Sequence, residues 1–339
     1  MRGGPFPNPQ SPAPKSRVPN PVRYDASVDL IHYPGGVWPG HWQAPVLAIG
    51  NFDGVHVGHQ AILASVRRSA AARGAAPVAL TFDPAPTRVL RPDRAPRSLM
   101  TTAQKLEAFE AAGMQGVVVV RFTPELSRWE PERFVSDVLV RWLGVGEVWV
   151  GRDFVFGRGR SGTFEVLREL GISWGFEARK VDPVCLGGAP VSSTRIRTLV
   201  GSGAMREAAA LLGRPYAIDG LVVRGDARGR QLGFPTANLQ IANELVPPNG
   251  VYAGFVRRDG SSYPAVANLG TRPTFHGQGA ASIEAHLLDV DMDLYGANLR
   301  LCFVRRLRDE RRFESAEALT RQIREDCRQA RAVLDGVSV

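Results

Sequence analysis

The chain has 339 residues, 44% hydrophobic and 22% charged, with 42 basic side chains against 33 acidic ones and a net charge of +9. That composition excludes a disordered chain, and at about 100–200 residues per domain the length excludes a single small module and predicts two domains. Cys185, Cys302 and Cys327 lie far apart without C-x-x-C spacing, which excludes a disulfide framework and a zinc ribbon, and no run reaches the roughly 18 apolar residues of a membrane span.

In chain order, the stretch from Met1 to Asp25 is proline-rich and lacks the apolar centre of a signal peptide. Residues 1–43 are therefore expected to form a disordered extension, and the cysteine usage suggests a reducing, cytoplasmic setting. From Pro45, apolar runs at 45–50, 76–82, 117–122 and 147–151 predict strands, with a fifth near 176–184. Between them, residues 60–72, 102–113 and 131–143 carry apolar side chains at helical spacing, and two short helices end near Leu212. The alternation predicts a doubly wound, Rossmann-like α/β domain over 44–212 with a parallel sheet. After Gly213 the runs at 216–225, 250–258, 262–270, 283–290 and 299–307 are short, β-rich and punctuated by glycine, proline and asparagine. They predict a small β-barrel or sandwich over 213–339, closed by a helix that Ser315 caps and that runs to about Leu334.

The positive charge is almost all arginine, with three lysines (Lys15, Lys105 and Lys180), and is interleaved with acids rather than gathered in a block. It raises the question of a polyanionic partner without identifying one.

The first strand of the α/β domain runs into Asn51-Phe52-Asp53-Gly54-Val55-His56-Val57-Gly58-His59 and then a helix. Ligands of open α/β sheets sit beyond the carboxyl ends of the strands. Two imidazoles three residues apart at a helix start, beside free backbone N–H groups, suit a phosphate, and Gly58 lets a nucleotide approach the backbone. His56 and His59 also read as surface helix residues, or more weakly as metal ligands without a third partner. Downstream, Ser192-Ser193-Thr194-Arg195-Ile196-Arg197 opens another helix; its hydroxyls are caps by default, and its arginines are suited to a departing pyrophosphate.

In the second half, Gly225, Gly229 and Gly233 read as turns or as a loop over phosphates, and no Walker lysine follows. Thr236 and Asn238 alternate on one strand face and present hard oxygen ligands of the kind Mg²⁺ accepts while it retains ATP phosphates. Glu284 stands opposite the apolar face formed by Ile283, Ala285 and Leu287, and reads equally as a general base or as an exposed strand carboxylate.

Four segments, GNFDGVHVGH (50–59), TFDPAP (81–86), VGRDFVFGRGRSG (150–162) and SSTRIR (192–197), resemble the adenylyltransferase half of the bifunctional riboflavin kinase/FAD synthetase family. LGRPYAIDG, GFPTAN, GVYAG, ANLGTRPTF, IEAHLLD and DLYG resemble its riboflavin kinase barrel, in order. The resemblance implies that Asn51, Phe52, Asp53, His56, Gly58 and His59 hold ATP phosphates, while Ser192, Ser193, Thr194, Arg195 and Arg197 close over the triphosphate. It places Asp153, Phe154 and Arg160 beside FMN, with Phe154 equally a core residue. It makes Glu284 the base of the kinase, Thr236 and Asn238 its Mg²⁺ATP ligands, and the loop from Gly225 to Gly233 its phosphate cover, with Asn268 and residues 271–275 nearby. Riboflavin, FMN and ATP are the implied partners, with Mg²⁺, and neither nucleic acid nor membrane is. Two other readings compete: a flavin-responsive binding or regulatory protein with one activity lost, and a single adenylyltransferase for another phosphorylated cofactor.

Overall fold

In the computed structural model of the chain, residues 28–225, 229, 232–272, 280–290 and 292–337 are described. Residues 1–27 of the expected extension, 226–228 and 230–231 of the expected phosphate loop, and 273–279 lie outside them.

Six parallel strands build the first sheet: β1 (Asp29–Tyr33), β2 (Val46–Ile49), β3 (Pro77–Phe82), β4 (Gly116–Val120), β5 (Glu147–Gly151) and β6 (Glu177–Val181), in the order β1-β4-β3-β2-β5-β6. The apolar runs of β2 and β4 have every residue buried because helices cover both faces. On one face, Val46, Ala48, Val117 and Val119 pack with Ile62, Leu63 and Val66 of α1 (Val57–Arg73) and with Phe109. A short α2 (Pro86–Leu90) precedes α3 (Thr102–Ala111), which carries Phe109. On the other face, Leu47, Ile49, Val118 and Val120 pack with Phe134 of α4 (Pro131–Phe134), with Val138 and Leu139 of its π-helical continuation (Val135–Trp142), and with Leu167 of α5 (Phe164–Trp174). This is the doubly wound arrangement the alternation implied. Because β3 and β5 flank β2, the chain reverses direction across the sheet at β2, and its carboxyl end is the switch point where ligands bind.

The expected extension is corrected at its carboxyl end. Asp29–Tyr33 is an ordered edge strand in parallel register with β4, from Asp29 opposite Gly116 to Tyr33 opposite Val120. Trp42 is buried over Gly116, where a Cβ would come within 2.0 Å of its indole. Five residues followed by Pro34-Gly35-Gly36 carry too little pattern to stand out from a proline-rich tail; tertiary pairing makes them a strand.

A hairpin of β7 (Cys185–Leu186) and β8 (Ala189–Pro190) leads into α6 (Ser193–Ser202) and α7 (Met205–Leu212), which end in left-handed Gly203 and Gly213. Six antiparallel strands follow: β9 (Tyr216–Val223), β10 (Ala237–Ile241), β11 (Gly250–Arg258), β12 (Ser261–Arg272), β13 (Ala280–Leu287) and β14 (Asn298–Arg308). They close as a barrel in the order β10-β13-β12-β11-β14-β9. The last helix, α8 (Ala316–Leu334), starts at Ser315, whose hydroxyl accepts the Ala318 N–H at 3.2 Å. Its Cys327, Ala330 and Leu334 cover Val251, Ala253 and Phe255 on the outside of the barrel, and Arg308 forks onto the buried Asp326 at 2.9 and 2.7 Å.

The two halves are joined by a continuous apolar core and a polar seam. Ile196, Val200, Met205, Leu211 and Leu212 share one cluster with barrel residues Tyr216, Ile218, Tyr252 and Phe303. Beside it, Arg300 holds Glu107 of α3 and Asp219 of β9, the Asn243 amide donates to Gln104 Oε1 at 2.8 Å, and Arg214 donates to the Gly54 carbonyl at 2.8 Å.

Candidate active sites

The turn after β2 is shaped by backbone that side chains rarely adopt: Phe52, Gly54 and Val55 all have positive φ, at 47°, 85° and 38°. Phe52 and Val55 are held there by complete burial. The turn delivers His56 as the N-cap of α1, and its Nδ1 accepts the His59 N–H at 3.3 Å. His56 and His59 stack with ring centroids 3.6 Å apart and planes 15° from parallel. Gly58 lies against this stack, since a Cβ there would sit 3.2 Å from the His56 ring.

Burial pushes His56 down to about 4 and His59 well below the ordinary imidazole range, with further lowering from Arg214 on the first and from His56 and Lys105 on the second. Both rings are therefore neutral at pH 7. An acceptor at His56 Nδ1 leaves its proton on Nε2, free to be donated. His59 Nδ1 is buried with no partner of its own, so the turn holds unspent polar capacity beside the N–H groups of a helix terminus.

The SSTRIR segment is brought to the same place. Ser192 caps α6, Ser193 Oγ donates to the Asp53 carbonyl at 2.9 Å, and Thr194 stands in the first turn, its carbonyl accepting Thr198 Oγ1. The two arginines are committed to the chain: Arg195 donates to the carbonyls of Leu186 and Ala189 in the β7–β8 hairpin, and Arg197 donates to the Arg97 carbonyl and pairs with Asp53 at 2.5 Å. Asp53 also accepts the Leu99 N–H at 3.0 Å, so its carboxylate fixes the segment entering α3. The Asn51 carbonyl accepts both Thr81 Oγ1 at 3.2 Å and Lys105 Nζ at 3.0 Å. Lys105 and Arg214 are the site neighbours that sequence reasoning passed over; the signal for the first was a lysine inside a helix in a chain that otherwise uses arginine.

The segment after β5 emerges at the same edge of the sheet, since β5 pairs in parallel with β2. Asp153 and Arg160 are exposed there, while Phe154 is half-buried, packs against the sheet core and stacks on Phe156 at 5.4 Å.

In the barrel, Asn238 of β10 pairs with Glu284 of β13, and Glu284 pairs with Asn268 of β12. Directly opposed residues share a face, so the three polar side chains form one row across three strands. The neighbouring row is Ala237, Ala285 and Ala267, all buried. Thr236, just before β10, places Oγ1 3.4 Å from Glu284 Oε2. Gly225 packs against the Asn238 amide, where a Cβ would come within 2.3 Å, and Gly229 lies beside Thr236. Gly233 has a φ of 83°, a left-handed turn position. Thr271 is an exposed residue of β12, and Arg272 ends that strand; residues 273–275 of the expected loop lie outside the described residues.

A histidine-bearing turn at the switch point of a doubly wound sheet is thus joined to a closed barrel with an Asn-Glu-Asn row, and the turn's helix terminus is suited to a phosphorylated ligand. Residues 39–195 match the family described as FAD synthetase, and residues 212–334 the family described as riboflavin kinase. The chain is 40% identical over 289 residues to the bifunctional riboflavin kinase/FMN adenylyltransferase of Escherichia coli (strain K12), covering 84% of this chain and 92% of the relative. It is 43% identical over 288 residues to that of Pseudomonas fluorescens, covering 85% and 92%. The chain belongs to the bifunctional riboflavin kinase/FMN adenylyltransferase family. Its fold is similar to a Streptococcus pneumoniae crystal structure described as a macrolide-efflux protein, with TM-score 0.81 and 27% identity over 90% of this chain and 99% of that one. No helix among the described residues is long and apolar enough to cross a membrane.

Proposed function

We propose that residues 44–212 adenylylate FMN and residues 213–339 phosphorylate riboflavin. The overall activity is the one the family defines: riboflavin and ATP give FMN and ADP, and FMN and ATP give FAD and pyrophosphate. The observation that carries the division of labour is the pair of separate polar constellations, the stacked neutral imidazoles after β2 and the Asn238-Glu284-Asn268 row on the barrel.

In the barrel, Glu284 removes the proton of the ribityl hydroxyl as its oxygen attacks the γ-phosphorus and ADP departs. Thr236 and Asn238 offer neutral, hard oxygens beside that carboxylate, a donor set that fits Mg²⁺ held largely by nucleotide phosphates. When bound there, Mg²⁺ would supply neutralisation of the charge that develops on the phosphates.

In the α/β domain the nucleophile is the FMN phosphate, already an anion, so positioning and charge stabilisation replace a general base. Neutral imidazoles suit that role, because each donates a hydrogen bond without surrendering a proton. Asp53 and Arg197 hold the turn, the α3 entry and α6 together around the triphosphate. Three cysteines free of disulfides favour a cytoplasmic setting.

The test is to supply riboflavin and MgATP and separate FMN from FAD by chromatography. Glu284→Gln stops FMN formation and leaves FAD formation from added FMN intact; His59→Ala does the reverse. Parallel loss of both activities in both variants would overturn the assignment.

A further inference from the structure

Lys105 lies in the first turns of α3, a helix fixed at its start by a reciprocal capping box, in which Thr101 Oγ1 accepts the Gln104 N–H at 3.2 Å and Gln104 Oε1 accepts the Thr101 N–H at 3.0 Å. Two residues further on, Glu107 is gripped by Arg300 from the barrel. The helix backbone that carries Lys105 is therefore fixed on both sides of it. The Lys105 ammonium is half-buried and donates to the Asn51 carbonyl at 3.0 Å, at the switch point of the sheet.

Two facts make this cation unusual. It forms no ion pair with a carboxylate among the described residues; Asp53 and Asp83 act on it only through space, and Asp53 is already neutralised by Arg197. Burial accordingly depresses the Lys105 ammonium below the ordinary lysine range, and the same charge reaches His59 and lowers it. A half-buried charge without a counter-ion is poorly compensated and suits a site that an anion completes. Meanwhile both histidines are neutral, and Arg195 and Arg197 are engaged with carbonyls and with Asp53.

We propose that Lys105 is a fixed cation of the adenylyltransferase site, binding the β- and γ-phosphates of ATP and stabilising the pyrophosphate as it leaves. In that step an FMN phosphate oxygen bonds to the α-phosphorus, the bond from the α-phosphorus to the bridging oxygen breaks, and its electron pair departs with pyrophosphate beside the ammonium. The proposal rests on the reading of residues 44–212 as the adenylylating domain.

The experiment compares Lys105→Gln and Lys105→Arg in the full chain. Glutamine keeps a hydrogen-bond donor for the Asn51 carbonyl but removes the charge; arginine keeps the charge. FAD formation from FMN and ATP is expected to fall by about 10²-fold in Lys105→Gln, with a higher KM for ATP and at least tenfold weaker inhibition by inorganic pyrophosphate. Lys105→Arg should restore most of both, and riboflavin phosphorylation should be unchanged in each variant. Undiminished pyrophosphate inhibition in Lys105→Gln overturns the proposal, as does equal loss in the two variants, which would make the side chain a structural prop. A wild-type chain that makes no FAD from FMN and ATP would instead sink the reading of the domain.

Discussion

Replacing Arg300 with methionine tests the seam between the two halves. The Arg300 side chain is 15% exposed and holds Asp219, 3% exposed, at 2.7 and 2.8 Å, and Glu107, 21% exposed, at 2.5 and 3.2 Å. Methionine fills much of the volume but strands two carboxylates, one of them fully desolvated. Removing one partner of a buried ion pair costs about 3–5 kcal/mol, because the remaining charge is left uncompensated. At about 2 °C per kcal/mol for a chain of this size, that lowers the melting temperature by about 6–10 °C. All six tryptophans, from Trp38 to Trp174, lie in the α/β domain, so their fluorescence reports its unfolding separately from the barrel. The triple variant Arg300→Met, Asp219→Leu, Glu107→Leu removes the stranded charges and should recover most of the loss. The reasoning fails if Arg300→Met melts within a degree of the wild type, or if the triple variant is no better than the single one.

Other outcomes follow from the same geometry. Glu284→Gln should slow riboflavin phosphorylation by about 10²–10⁴-fold, the usual worth of a general base, with FAD formation from supplied FMN as the internal control. Gly225→Ala should cost little fold stability, since its Cβ meets the movable Asn238 amide, yet depress phosphorylation by displacing that amide; unchanged FMN formation would argue against a role for Asn238. The histidines set an acid limit. Folding keeps them neutral while the unfolded chain binds protons near pH 6.5, so their contribution to stability is whole above that pH and is lost as pH falls toward 4. His56 alone amounts to about 3 kcal/mol across that window, and His56→Gln should flatten the fall in melting temperature between pH 6.5 and 4.

Local patterns made the layers of this protein legible, and long-range partners concealed much of its site. The buried strands of the sheet announced themselves as runs such as Val117–Val120, because both faces are covered. The alternation of Glu284 with Ile283 and Ala285 likewise showed which side of β13 was wet. What the sequence could not show was register. That Asn238, Glu284 and Asn268 stand in one row depends on pairings across 46 and 16 positions of chain, and residue types alone do not set them. The arginines of the SSTRIR segment looked free for phosphate because their actual acceptors, the carbonyls of Leu186, Ala189 and Arg97 and the carboxylate of Asp53, are met only in three dimensions. Lys105 carried only a compositional signal, a lysine in a helix of an arginine-rich chain, because its partner lies far off in sequence at Asn51.

The helix α3 gives these separate observations a common cause. Gln104 donates to the Ala217 carbonyl and accepts from Asn243, Glu107 meets Arg300, and Lys105, between them in sequence, faces the Asn51 carbonyl. One helix therefore touches the barrel and the turn after β2 at once. The chain divides near Gly213, but the packing does not, because α6 and α7 bury their apolar faces in the same cluster as the barrel interior. Moving the halves apart would at once expose that cluster and unpair Glu107 from Arg300. The barrel thus supplies part of the framework that holds the half-buried Lys105 ammonium and the strained turn after β2, where we propose that a triphosphate binds.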